Sequence, residues 1–463
     1  MTSPPDTGRK FLPGLLALCA LALLLRLAAV ILVPTQQTTD YWSYYQRVVN
    51  LLDVGVYGVR PGTPNATWPP GYPLALAFAL KLFGRGLLVA KVLNALLGTA
   101  AVALAGLLGR RLGGERVGLA TAGVAAVYPR LVLQSCLCAS ENLFLPLLLL
   151  WLLVLAASWA RARDLRGALL GGLVLGLATL VRSVGYPLFL LWPLAGAATR
   201  KKPWAGLAAE TLLVLLVQHA VLLPWALRNR ETLGHFSFFT DAVGATLFMG
   251  NNPNATGHWY LASEDVERAL AGRQVADPFE RDAALRQAAL RWMVEDPVAA
   301  GRLFLVKLGS AFHDEGIAEP LATSTWVVPR HSLPRGVKPY EIQALPEDHF
   351  FRRHIRTLRW GIVGIPYGML LLLEAWGLVL LFRGRLVDPA LRLPFLVALV
   401  GAALYFALFG ALLHGDPRLR WPATDLLLPL AGLALVYWTG ASASILLRRA
   451  PTVANRLGTG TAP

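Results

Sequence analysis

Charge is scarce in this chain of 463 residues: only 15% of positions are Asp, Glu, Lys or Arg, while 56% are hydrophobic. That balance, with a mean hydropathy of +0.53, excludes a disordered polypeptide and is too apolar for an ordinary soluble enzyme of this length. Cysteine is nearly absent. Cys19, Cys136 and Cys138 all lie in apolar stretches, so no disulfide framework exists, and Cys136-Leu137-Cys138 lacks the second ligand pair that a zinc site requires. P-loop, GxGxxG, HExxH and serine-hydrolase signatures are missing in any supporting context, as are internal repeats and low-complexity runs. Acid is the rarer sign of charge, with 27 Asp+Glu against 43 Lys+Arg, a formal +16. In a soluble protein that excess would point to nucleic acid; in a membrane protein it points to cytoplasmic loops, which collect Lys and Arg.

Long apolar runs are what the chain does have. A helix needs about 20 residues to cross about 30 Å of hydrocarbon. Spans are expected at 11–33, 87–108, 117–134, 141–158, 166–181, 184–198, 204–224, 360–382, 393–413 and 422–447. No small-residue cleavage site follows 11–33, so it reads as an anchor and first span, not a signal peptide. With the N-terminus in the cytoplasm, the inside loops hold Arg9-Lys10, Arg110-Arg111 with Arg116, Arg161 to Arg166, Arg200-Lys201-Lys202, Arg383 to Arg392, and Arg448 to Arg456. Few acids accompany them, and every turn of the thread obeys the positive-inside rule. The basic excess is therefore topological, and nucleic acid is not needed as a partner. The expected fold class is an all-α polytopic membrane protein. Its regions are an N-terminal transmembrane module over 1–224 with a first outer loop at 34–86, a loop region over 225–359, and C-terminal helices with a cytoplasmic tail over 360–463. The 34–86 loop holds a short apolar stretch up to Phe83 that reads as an interfacial helix. Residues 280–312 read as one amphipathic helix on the membrane, with Arg302 and Lys307 interrupting its apolar face; whether 297–312 lies at the interface or spans stays open.

Apart from the long outer region 225–359, which carries most of the acidic residues, basic residues on the outside are few: Arg47, Arg60, Lys81, Arg85, Arg182, Arg418 and Arg420. Asp40 opens a helix just after the first span, so it suits either an N-cap or a base that takes a proton from an attacking hydroxyl. Glu141 begins a span on the same side, where the helix dipole alone would account for it. Convergence favours chemistry, because two carboxylates share that side with Arg418 and Arg420, in His414-Gly415-Asp416-Pro417-Arg418-Leu419-Arg420-Trp421-Pro422. These arginines break the positive-inside bias, and guanidinium forks match phosphate oxygens; Arg182 is a third such candidate. Arg26, inside the first span, is expected to pair within the bundle.

The runs Trp68-Pro69-Pro70-Gly71-Tyr72-Pro73-Leu74, Leu82-Phe83-Gly84 and Gly109-Arg110-Arg111-Leu112-Gly113-Gly114 resemble the core of family 39 and related GT-C glycosyltransferases. These include protein mannosyltransferases, aminoarabinose transferases and RgtA/B/C/D-like proteins. Tyr128-Pro129, Ser140 to Phe144, Pro224 to Asn229, Gly250-Asn251-Asn252-Pro253 and Pro417 to Pro422 continue the likeness in order. The resemblance implies a GT-C bundle of about ten transmembrane helices whose extracytoplasmic loops carry interfacial helices. It implies an enzyme that moves a sugar from a polyprenyl-phosphate donor to a lipid, glycan or protein acceptor. Asp40 matches the family's catalytic acid, here followed by Tyr41 where an Asp-Glu pair is common, so a metal-chelating role of that pair is in doubt and no cofactor is indicated. Glu141 matches the second acid, and Arg418 and Arg420 match the family's basic residues before the last spans; these two, with Arg182 from the charge pattern, are the expected donor-phosphate ligands. Tyr41, Tyr72, Arg228 and His414 are expected to line the substrate loops. The competing class is a transporter or lipid-linked sugar flippase, which would instead place polar groups at mid-bilayer on broken, repeated helices.

Overall fold

The computed structural model describes residues 8–33, 35, 37, 39–257, 263–313, 353–354 and 357–449. Described elements are helical. α1 (Gly8–Leu32) is followed by α2 (Thr39–Val54), α3 (Gly71–Phe83), α4 (Leu87–Val127) and the single turn α5 (Pro129–Leu133). Next come α6 (Glu141–Ser158), α7 (Leu165–Val181), α8 (Leu191–Ala198) and α9 (Trp204–Leu233). The central region holds α10 (Val243–Gly250), α11 (Ser263–Ala269), α12 (Pro278–Glu295) and α13 (Pro297–His313). The chain then forms α14 (Ile365–Phe382), α15 (Pro389–Phe395), α16 (Gly401–Leu413), α17 (Pro417–Asp425) and α18 (Leu428–Arg449).

Six helices are long and apolar enough to cross a membrane, and a seventh arises if α17 and α18, bent by 49° at their junction, act as one broken span. The chain is thus a multi-pass membrane protein, with fewer full-length spans among the described residues than the expected ten. The missing spans have local causes. Tyr128-Pro129 ends α4 at Val127, because a residue before proline is pushed out of the helical region and Tyr128 is extended; the expected 117–134 run stops there. Residues Ser183–Leu190 wind as a 3-10 helix around Pro187 before α8, so 184–198 is not one straight rod. α7 is apolar but has only 17 residues. α4 is itself two legs, broken where Gly113 leaves helical geometry and Gly114 takes φ 84°, a left-handed value that glycine adopts without a Cβ penalty.

α4 is the hub, packed on α1, α6 and α18, while α7 pairs with α9 and α14 with α18. Small residues allow this closeness: a Cβ on Gly432 would fall 2.2 Å from Thr121 Oγ1. The expected single amphipathic helix at 280–312 is two helices. Asp296 and Pro297 divide them, with Asp296 Oδ1 accepting from Ala299 N–H at 2.9 Å to start α13 and proline occupying the first turn, where its missing N–H costs nothing. At 17 residues, α13 is not among the helices able to span. Arg26 is buried in α1, donating to the carbonyls of Ala22, Ala125 and Ala126 at 3.1–3.3 Å. It is thus paired within the bundle, with one carbonyl of its own helix and two at the end of α4.

Candidate active site

At the end of the bundle where α6 begins and α7 stops, four separate parts of the chain contribute charge to one cluster. α2 supplies Asp40 in its first turn. The α6 N-terminus supplies Glu141, where the helix dipole favours an anion. Arg182 follows the last residue of α7. Arg418 sits in the first turn of α17, whose N-cap Asp416 accepts from the Arg418 N–H at 2.8 Å. Proline at the first position fixes the backbone for that turn.

Arg418 is the centre. Its Nη1 donates to Asp40 Oδ2 at 3.0 Å, and its Nε and Nη2 both donate to Glu141 Oε1 at 3.2 Å. The guanidinium lies 5.0 Å from the centroid of the Tyr41 ring, whose negative face suits a cation. Arg182 Nη1 lies 2.6 Å from the same Glu141 oxygen. Two arginines therefore share one glutamate, and one of them also holds the aspartate. Glu141 is almost enclosed at 5% side-chain exposure, whereas Asp40 keeps 33%. The aspartate is the more accessible of the two carboxylates.

A polar scaffold fixes Glu141. Ser140 Oγ accepts from Tyr44 at 3.1 Å and from Arg182 at 3.3 Å, and donates to Glu141 Oε2 at 3.4 Å. The turn ahead of α6 is an irregular buried segment, and buried backbone groups need partners. Asn94 Nδ2 donates to Leu137 O at 2.7 Å; Asn142 Nδ2 donates to Leu137 O and Ala139 O at 3.0 and 3.1 Å. Gln37 bonds both ways, donating to Cys136 O at 3.0 Å and accepting from Cys138 N–H at 2.8 Å. Burial pushes the Tyr44 hydroxyl up to about 12 and raises that of Tyr41 as well, so both stay neutral donors.

A second scaffold fixes Arg418. Lys307 points inward and is fully buried. Its Nζ donates to Gly250 O at 3.0 Å, Asn251 Oδ1 at 2.8 Å, Leu412 O at 3.2 Å and Leu413 O at 3.4 Å. It thereby caps the C-terminal carbonyls of α10 and α16 together, where a cation is favoured. Burial lowers its ammonium to about 8. Asn251 ties the same joint, donating to Leu247 O and Leu412 O at 2.8 Å each. The joint between α16 and α17 is thus held from both sides.

The remaining expected site residues fall in different places. His414 lies in this joint, buried, with Nδ1 lacking a partner; burial holds its imidazole below the usual value against the pull of Asp416. Tyr41 packs under Arg418. Arg420 does not join the cluster. It is fully buried on the other side of α17, donating to Ala311 O at 2.9 Å and lying 4.7 Å from the Tyr367 ring centroid. Residues two apart on a helix do not share a face, and the helical form of Pro417–Asp425 separates the arginines that the sequence groups together. Tyr72 is buried, donating to Asn94 Oδ1 at 3.0 Å, so it supports the Glu141 turn. Arg228 clasps the first loop, donating to Asn65 O at 3.0 Å and Tyr57 O at 3.2 Å. Sequence reasoning missed Tyr44, Asn94, Gln37, Ser140 and Asn251 as builders of the site. Ser140 and Asn251 lie in runs that carry the family likeness, which was the signal available for them; Tyr44, Asn94 and Gln37 were visible only as polar residues beside apolar ones.

Residues 67–225 match the family described as dolichyl-phosphate-mannose-protein mannosyltransferase; that stretch includes Glu141 and Arg182. Among solved structures, the archaeal oligosaccharyltransferase AglB from Archaeoglobus fulgidus, in complex with an inhibitory peptide and a dolichol-phosphate, is similar with a TM-score of 0.53 at 17% identity, over 96% of this chain and 52% of that one. The same organism's enzyme tethered to an acceptor peptide gives a TM-score of 0.51 at 15% identity, over 95% and 51%. ArnT from Cupriavidus metallidurans bound to undecaprenyl phosphate overlaps 94% of this chain and 79% of its own, at 16% identity and a TM-score of 0.42. No curated protein matches the chain in sequence. The chain spans about half the length of the oligosaccharyltransferase it resembles. The class is thereby defined: this is a helical membrane protein with the GT-C fold, as the resemblance implied. Within that class, its segment 67–225 resembles the protein-mannosyltransferase family.

Proposed function

We propose that this protein is a membrane glycosyltransferase that takes a sugar from a polyprenyl-phosphate donor and passes it to an acceptor hydroxyl, with inversion, on the extracytoplasmic side. The observation that carries this reading is the Asp40–Arg418–Glu141–Arg182 cluster, a reachable carboxylate beside two arginines that a buried glutamate holds together. The likeness of residues 67–225 to the mannosyltransferase family supports it, as does the fold shared with an oligosaccharyltransferase in complex with a dolichol-phosphate. The excess of Lys and Arg in alternate loops supports a topology with both termini in the cytoplasm and the cluster on the far side.

The acceptor oxygen attacks the anomeric carbon, the bond from that carbon to the phosphate oxygen breaks, and Asp40 takes the hydroxyl proton. The leaving group is the lipid phosphate, already weakly basic. Arg418 and Arg182 receive its charge with the N–H groups their carboxylate partners leave free, so the protein mainly supplies position and preset electrostatics. Glu141 holds both arginines through one shared oxygen. Arg420 enters as a positioning residue that anchors α17 to α13. In this reading the described helices within 8–224 and 360–449 form the transmembrane frame and the intervening loop region selects the acceptor; residues 314–352 and the expected cytoplasmic tail beyond 449 lie outside the described residues. The transferred sugar is a hexose or pentose.

The test is transfer from a polyprenyl-phosphate sugar in membranes carrying Asp40→Asn. Loss of a general base lowers the rate on the order of 10²–10⁴-fold, while donor phosphate still binds. Unchanged transfer would overturn the assignment.

A further inference from the structure

One buried cation takes no part in that reaction. Arg47 follows Asp40 by seven residues on α2, about two turns and roughly 10 Å further along the same face. Its side chain is 2% exposed. Of the N–H donors a guanidinium carries, Nη1 donates to Ser43 O at 3.1 Å, while Nε is buried without a partner. Among the described residues no carboxylate pairs with it; Asp40 and Asp241 reach it only through space. The guanidinium rests against the Trp68 ring, 5.6 Å from its centroid. Trp68 is itself partly exposed and packed 5.4 Å from Tyr44.

The other deeply buried cations carry more partners, although Nε is unpartnered in Arg26 and Arg130 too, and Arg420 bonds Ala311 O and Thr424 Oγ1. Arg130 has Asp425, Lys202 has Glu210, Lys307 is wrapped in oxygens, and Arg26 has three carbonyls. A buried charge without a partner opposes folding. Its retention beside a partly exposed tryptophan, on the face that carries Asp40, implies a ligand that supplies the missing anion.

We infer that Arg47 recognises an anionic group, a carboxylate or phosphate, on the acceptor, with Trp68 covering the sugar ring that bears it. This rests on the glycosyl-transfer reading, which sets the reacting hydroxyl at Asp40. The separation along α2 then suits an acidic saccharide whose charge lies about a disaccharide's length from that hydroxyl.

Thermal unfolding of the detergent-purified full chain tests this with glucuronate, glucose 6-phosphate and glucose as probes. Wild type and Arg418→Gln should be stabilised by a charged sugar and not by glucose, and the two charged sugars tell carboxylate from phosphate. Arg47→Met should unfold no lower than wild type, because an apolar side chain of similar length replaces an unpartnered charge. It should also bind the charged sugar on the order of tenfold more weakly or worse. Arg47→Met that unfolds lower yet keeps the response would make Arg47 a packing residue and overturn the inference. A response lost in Arg418→Gln but kept in Arg47→Met would assign the anion to the donor phosphate and overturn it too, as would wild type unmoved by millimolar charged sugar. None of these readouts uses transfer, so failure here is distinct from failure of the Asp40→Asn assay.

Discussion

The hairpin of α6 and α7 ends in charge at both extremities, and the two ends are built differently. At one, Glu141 opens α6 and Arg182 closes α7. At the other, Asp164 caps α7 by accepting from Gly167 N–H at 3.1 Å, and Glu210 of α9 is fully buried among donors. Lys202 Nζ reaches both Glu210 oxygens at 2.8 and 2.7 Å, Trp192 Nε1 donates at 3.0 Å and Asp164 N–H at 2.7 Å. Every lone-pair direction of that carboxylate is used, and both partners of the ion pair are sealed, at 1% and 0% exposure. A saturated, dry pair of this kind can only hold structure. The Asp40 end keeps an exposed carboxylate and two arginines whose forks are partly free, which is what a transient anion needs. Saturation separates the two roles better than charge does.

Breaking the sealed end should have the largest effect on stability. Glu210→Ala leaves Lys202 buried without its counter-ion, and loss of one partner of a buried pair costs about 3–5 kcal/mol. Thermal unfolding should show it, while transfer per folded molecule stays near wild type. The open end should respond the other way. In Arg418→Lys, a single ammonium cannot serve Asp40, Glu141 and a phosphate at once. Transfer should fall by one to two orders of magnitude, about 1.4–2.8 kcal/mol, with a smaller loss of stability than Glu210→Ala. The smallest effect is expected away from both ends. Asp277 caps α12, accepting from Glu280 N–H at 2.9 Å, and that bond, first among its causes, holds its carboxyl below the usual value. An acid depressed in the folded state stabilises it above the unfolded pKa of about 3.9, and that contribution is lost as pH falls through the lower folded value. Asp277→Ala should cost about 1 kcal/mol at neutral pH and flatten the acid limb of stability, with transfer intact.

Much of this was legible locally. Hydropathy located the long spans and the short apolar helix at Gly71–Phe83, because the need to bury apolar surface is a property of each run. The break at Asp296-Pro297 was also written in the chain, as an N-cap followed by proline, though periodicity alone had read through it. The grouping of Arg418 with Arg420 failed because adjacency in sequence was taken as adjacency in space. Arg26 pairs within the bundle as expected, but that its partners are the carbonyls left open where α4 ends is something no local pattern announces.

The sequence by itself determined the membrane class, the bias of the loops, and which few polar residues were out of place, since each of these depends on composition within a short window. Only the tertiary structure decided which of those residues meet. Arg418 and Asp40 are 378 positions apart, and their contact exists because α4 gathers α1, α6 and α18 around itself, so that chain ends far apart in sequence finish at one end of the bundle. It also decided which cations are satisfied and which, like Arg47, are left waiting for an anion, because saturation depends on oxygen atoms brought in from elsewhere in the chain.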